Sequence, residues 1–179
     1  MYRILATLAL FLALPSAVCA QSADILTYAF YNTHCMDPEV YATGLDHIDV
    51  LAKSTAQMML GTNSVLSTMD NLLAATQERP ELQYALERSK QQLTYIVDRS
   101  RRDQNYNDIF RGRMRARMKW PGEEGCGWLL GFLPTMQRSH LDLWQAILHS
   151  VMTIEDTNVV LGRKSATHTL LRATGLTSP

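Results

Sequence analysis

From Tyr41 to Thr76 an apolar or small residue recurs every third or fourth position: Tyr41, Leu45, Ile48, Ala52, Thr55, Met59, Thr62, Leu66, Met69, Leu73 and Thr76. An α-helix, at about 3.6 residues per turn, gathers that spacing onto one face, and no strand does. The stripe keeps phase across Gly61-Thr62-Asn63-Ser64, which predicts one long helix with Gly61 as a kink position rather than two short helices. Asp37-Pro38 is a natural start, an acidic cap followed by a proline in the first turn.

The same reading extends along the chain. Gln77-Glu78-Arg79-Pro80 punctuates, and Leu82, Leu86, Leu93, Ile96 and Val97 continue as a second helical stripe. The stretch from Asp98 to Asn105 is polar all round and reads as a place to fray or bend, with Tyr106 restarting the apolar pattern. Pro121 to Gly125 reads as a turn. A third apolar segment opens at Trp128 and runs through Leu133, Met136, His140, Trp144, Ile147, Val151, Ile154, Asn158 and Leu161 to a stop at Gly162, with Pro134 marking a kink or the true start. Strand signals are missing: no alternating Val, Ile, Thr and aromatic run, and no Asn-Gly or Asp-Gly hairpin turn. The expected fold is all-α, an up-down-up bundle of three long helices.

RGRMRARMKW, residues 111–120, alternates basic residues with others and could form a strand with one basic face, a polyanion-binding arm or part of a helix. On a helical wheel Phe110, Met114 and Met118 share one apolar arc, flanked by Arg115 and Lys119 on one side and by Arg113 and Arg117 on the other. Arg, Met, Ala and Lys are good helix formers and β-branched residues are absent, which favours the helix.

The N-terminus reads as a secretory signal peptide. Arg3 supplies the positive start, Ile4 to Leu14 is an apolar run too short to span a bilayer, and Val18-Cys19-Ala20 places cleavage after Ala20. Bulky Val18 directly before Cys19 speaks against a lipidated Cys19. The expected organisation is signal peptide 1–20, N-terminal segment 21–36, helical bundle 37–164 and a loosely attached C-terminal tail 165–179, with no membrane span after cleavage. Of three cysteines, Cys35 and Cys126 would remain, in an oxidising compartment that favours a disulfide. Cys35 precedes the first helix and Cys126 the third, and in an up-down-up bundle those two starts share one end. Localisation is expected to be periplasmic or secreted.

Charge is balanced in sum but not along the chain. Gln21 to Glu87 holds two basic residues against nine acidic, and Arg88 to Lys119 holds ten basic against three acidic. Opposite blocks can neutralise one another across a helix pair, so the basic block need not meet an external polyanion. Its candidate anion-binding residues are Arg99, Arg101, Arg102, Arg111, Arg113, Arg115, Arg117 and Lys119.

Catalytic signatures are absent: there is no phosphate loop, Gly-x-Ser-x-Gly, His-Glu-x-x-His or Cys-x-x-Cys-His. His140 and His149 face opposite sides of their helix, and His140 reads as a hydrogen-bonded structural histidine. Asp46, His47 and Asp49 read as a solvated face, Asn158 as a register-fixing core residue, and the methionines as core packing. The expectation is no enzyme, no metal and no cofactor.

A signal peptide, a short N-terminal segment and Asp37-Pro38-Glu39-Val40-Tyr41 opening a long helix resemble, over residues 37–80, the periplasmic minor-pilin or conjugal-transfer proteins of type IV secretion systems. The resemblance implies an assembly role at the cell surface and brings no catalytic residues. Cys35, Cys126 and the block from Arg111 to Lys119 depart from that pattern. Two readings stand. One is an exported interaction or structural protein docking onto an envelope or secreted partner, in part through the Trp120 to Trp128 turn. The other is a module binding anionic ligands, phospholipid, polysaccharide or nucleic acid, through residues 99–119.

Overall fold

The computed structural model describes residues 29–117 and 122–176; the expected signal peptide, Lys119, Trp120 and Pro121 lie outside the described residues. Three helices of 38 residues each form the body: α1 (Pro38–Ala75), α2 (Pro80–Arg117) and α3 (Glu123–Val160). A fourth, α4 (Thr167–Ala173), follows, and residues 29–34 are helical ahead of α1. Among the described residues there is no strand. The chain is an all-α, up-down-up bundle of three long helices with Cys35 and Cys126 at disulfide distance.

Local chemistry sets the helix ends. The Asp37 carboxylate accepts from the Glu39 and Val40 amides, at 2.8 and 3.4 Å, and Pro38 occupies the first turn, where no amide hydrogen is needed. At the other end of α1 the Thr76 hydroxyl donates to the Leu72 carbonyl at 2.9 Å, satisfying a terminal acceptor before Pro80 starts α2. α3 closes with Gly162 at φ 66, its amide on Val159 and that of Arg163 on Asn158, the paired bonds of a Schellman cap. Gly175, at φ 72, repeats the same cap after α4, with Leu176 bonded to Leu171 and Gly175 to Arg172.

Packing follows a seven-residue repeat. On α1 the buried residues are Tyr41, Ile48, Thr55, Thr62 and Met69 at one heptad position and Gly44, Met58, Val65 and Leu72 at the other, with Gly61 buried between them against α4. On α2 the first series is Leu86, Leu93, Ser100 and Asn107, all at most 2% exposed. A strict heptad keeps its seam facing the neighbour only if the helices wind left-handedly about one another. The expected α1 stripe has the first series right; in place of Met58, Val65 and Leu72 it has Met59, Leu66 and Leu73, which lie only half-buried beside the core.

Two apolar clusters fill the bundle. One joins the second half of α1, the first half of α2 and the second half of α3, with Leu93, Leu143 and Ile154 at its centre and Leu170 of α4 beneath. The other lies at the opposite end, where Tyr31, Tyr41, Ile48, Leu129, Phe132 and Met136 surround Cys35 and Cys126. The two cysteine Cα atoms are 5.7 Å apart, within the usual range for a disulfide.

Four expectations need correction. Asp98 to Asn105 neither frays nor bends: it is helical throughout, because its inward residues Ser100 and Gln104 find partners on α3 and α1. α3 starts at Glu123, not at Trp128 or Pro134, and Pro134 lies inside it. The segment from Arg163 to Leu176 is no loose tail, since α4 packs on α1 and α3 with Leu170 and Thr174 buried. Gly61 interrupts nothing; α1 is continuous there, and Ala173 and Thr174 lie directly against the glycine.

Candidate functional site

The inward face of α2 changes character along its length. Leu86, Leu93 and Val97 supply apolar packing, and beyond them the helix presents Ser100, Asp103, Gln104 and Asn107 to its neighbours. The Ser139 hydroxyl donates to Ser100 at 3.1 Å, and Gln104 Nε2 donates to the Ala52 carbonyl at 2.6 Å. Thr55 Oγ1 and His140 Nδ1 are hydrogen-bonded at 3.1 Å, the structural role expected of that histidine. Asn107 is fully buried, and among the described residues neither its Oδ1 nor its Nδ2 has a partner.

The outward face carries the features that sequence reading missed. Tyr84, Tyr95 and Tyr106 are 65%, 62% and 57% exposed, large aromatic side chains left in solvent. They recur every 11 residues, which is three turns plus about 20°, so they form a row along one side of the helix. The row is about 33 Å long at about 1.5 Å per residue. Tyr106, which the sequence assigns to an apolar stripe, instead stands at the outer edge, its ring centroid 6.1 Å from that of Phe132. The 11-residue interval was the available signal; neither a 3.6- nor a 2-residue period reveals it.

Two arginines lie along the row, Arg88 between Tyr84 and Tyr95 and Arg102 between Tyr95 and Tyr106. Both are exposed, and among the described residues no carboxylate pairs with either. The other cations of α2 whose side chains are described are engaged. Lys90 pairs with Asp70 of α1, Arg99 Nη1 donates to Asp142 of α3 at 3.0 Å, and Arg101 Nη1 donates to Asp98 within α2 at 3.0 Å. Of the candidate anion-binding residues, Arg99 and Arg101 face carboxylates and Arg102 belongs to the tyrosine row. The side chains of Arg111, Arg113, Arg115 and Arg117, and all of Lys119, lie outside the described residues.

Hollows flank the row. Between α2 and α3 a groove of about 330 Å³ is lined by Asp103, Tyr106, Gly127, Gly131, Trp128 and Phe132. Between α1 and α2 a shallower one of about 680 Å³ is lined by Leu73, Glu87, Lys90 and Tyr95. Trp128 is only 9% exposed and stacks on Phe132 with centroids 5.6 Å apart, so it packs the core and is not the exposed docking residue expected of the turn before α3.

Among the described residues no three His, Cys, Asp or Glu side chains gather to hold a metal ion, and no helix is long and apolar enough to cross a membrane. Burial raises the phenol pKa of Tyr31 and Tyr41, and both lie in the cluster around the cysteines. Compared with known protein families, characterised proteins and solved structures, the chain matches none of them.

Proposed function

We propose that this is an exported helical-bundle interaction protein of the cell envelope, an accessory component of a secretion or conjugation machinery, and that the outward side of α2 is its docking face. The observation that carries the reading is the row of Tyr84, Tyr95 and Tyr106 with Arg88 and Arg102 set among them. Tyrosine and arginine are the residues most enriched at the energetic centres of protein interfaces, where a rigid amphipathic ring or a planar cation gains much contact for little lost freedom. A cysteine pair at disulfide distance supports export, since such pairs persist in oxidising compartments.

The test has two parts. Edman sequencing of the protein recovered from its host's envelope fraction is expected to begin at Gln21. Tyr84→Ala with Tyr95→Ala is then expected to abolish co-purification with the envelope partner while leaving the thermal midpoint within a few degrees, because neither ring is buried. Association that survives the double substitution refutes the docking face. Retention on heparin that disappears at moderate salt, untouched by the tyrosine changes, supports the anion-binding alternative instead.

A further inference from the structure

We propose that the partner seated on α2 is an acidic helical segment of a different protein, its apolar side against Tyr84, Tyr95 and Tyr106 and its carboxylates against Arg88 and Arg102. This rests on the docking-face reading above and adds to it the partner's charge, conformation and identity as a non-self chain.

Conformation follows from what the face offers. The described residues contain no strand and hence no sheet edge, and the backbone groups of α2 are satisfied within the helix, so an incoming chain finds side chains only. A partner helix lying alongside advances by the same rise per residue and meets the row again every three turns. An extended chain gains no backbone hydrogen bonds from such a surface.

Charge follows from the two arginines. Arg88 and Arg102 are 14 residues apart, about 21 Å along the axis; of the exposed acids beside the row, Asp98 is held by Arg101, and Glu81 and Glu87 lie toward its Tyr84 end. Two unpaired cations set among the three tyrosines favour carboxylates at matching separation, and oppose a basic or neutral partner by leaving the guanidinium groups uncompensated as water is excluded.

The same register argues against a second copy. An antiparallel pair of α2 helices centred on Tyr95 would bring Tyr84 opposite the other copy's Tyr106, but also Arg88 opposite Arg102 and Glu87 opposite Asp103. A parallel pair sets every arginine beside itself. Like charges directly opposed are destabilising in either case. Nucleic acid fits poorly, because rings about 16.5 Å apart do not make a continuous stacking platform for successive bases. A lipid surface fits poorly too, since Arg88, Gln91, Asp98 and Arg102 interrupt the apolar side that an interfacial helix needs.

The test places a photo-crosslinking amino acid at Tyr84, Tyr95 or Tyr106 of the full chain in its own host, and the attached peptide is sequenced. The expected result is one partner segment reached in register from all three positions, helical in pattern and net acidic. A synthetic peptide of that segment should bind the mature protein, lose about tenfold or more in affinity on Arg88→Glu with Arg102→Glu, and regain it when its own acids are changed to lysine. A neutral or basic segment, or binding indifferent to these reversals and to about 0.5 M salt, overturns the acidic partner while the docking face stands. Attachment only to lipid or to a second copy overturns both, as does binding of phosphatidylglycerol and phosphatidylethanolamine vesicles that competes with the peptide.

Discussion

Replacing Gly61 with alanine tests whether α4 is a working part of the fold. Gly61 lies in the middle of α1, where alanine is ordinarily better by about 1 kcal/mol because it loses less backbone freedom on becoming helical. Here a Cβ would overlap the Ala173 carbonyl oxygen and the Thr174 Cα, and would stand 2.8 Å from the Ala173 carbonyl carbon. These are backbone atoms at the end of α4, so no rotamer change relieves the clash and the helix must move away. Leu170, 4% exposed, would then lose a burial worth about 2 kcal/mol, and Leu171 and Leu176, packed at the edge of the same cluster, would lose part of theirs. Set against the helix-forming gain, the net expectation is a loss of about 1 to 3 kcal/mol in urea unfolding followed by circular dichroism. Hydrogen exchange should show residues 167–176 losing protection well before α1 and α3. A variant that is more stable by about 1 kcal/mol, with protection over 167–176 unchanged, would refute the reasoning and show that α4 contributes nothing to holding the bundle.

Other perturbations separate the two ends of the bundle. Cys35→Ser with Cys126→Ser, or reduction, should cost about 4 to 5 kcal/mol in the chain-entropy account of a 91-residue separation, with residues 29–36 losing amide protection first. Asn107→Leu should raise stability by about 1 to 2 kcal/mol in the same unfolding assay, because it replaces a fully buried amide whose polar atoms have no partner among the described residues. A loss of stability there would mean that the amide is satisfied after all. Burial holds the Tyr31 and Tyr41 phenols above the ordinary value of 10.0. Unfolded chains ionise first as pH rises, so their contribution to stability is complete below pH 10.0 and is lost as pH climbs through the folded-state values. Ultraviolet titration should therefore show part of the tyrosine absorbance appearing only with alkaline unfolding.

The order of the three long helices and several of their ends were legible because they are written in local chemistry, whereas the start of α3 and the existence of α4 were not. Asp37-Pro38, Pro80 and Gly162 act within a turn of themselves and need no tertiary context. The cysteine pairing was legible for a topological reason, the sharing of one end by two helix starts. The choice between Met58 and Met59, or Val65 and Leu66, was not, since both members of each pair suit a helical face and only the left-handed winding of the partners selects one. Polar residues from Asp98 to Asn105 suggested an interruption because propensity cannot anticipate Ser139 and the Ala52 carbonyl waiting across the interface. The tyrosine row escaped notice for a different reason: burial patterns identify what faces inward, and its residues matter through what they leave outside.

The bond position of Cys35 and Cys126 also determines where tension would travel. Covalent closure between them makes α1 and α2 a ring, so a pull applied ahead of Cys35 and beyond Cys126 passes across 5.7 Å from one Cα to the other and enters α3 directly. Only the chain ahead of Cys35 and after Cys126 could lengthen under such a load. The tyrosine row on α2 sits inside the shielded ring, and a partner held there would keep its grip while α3 and α4 were being drawn out.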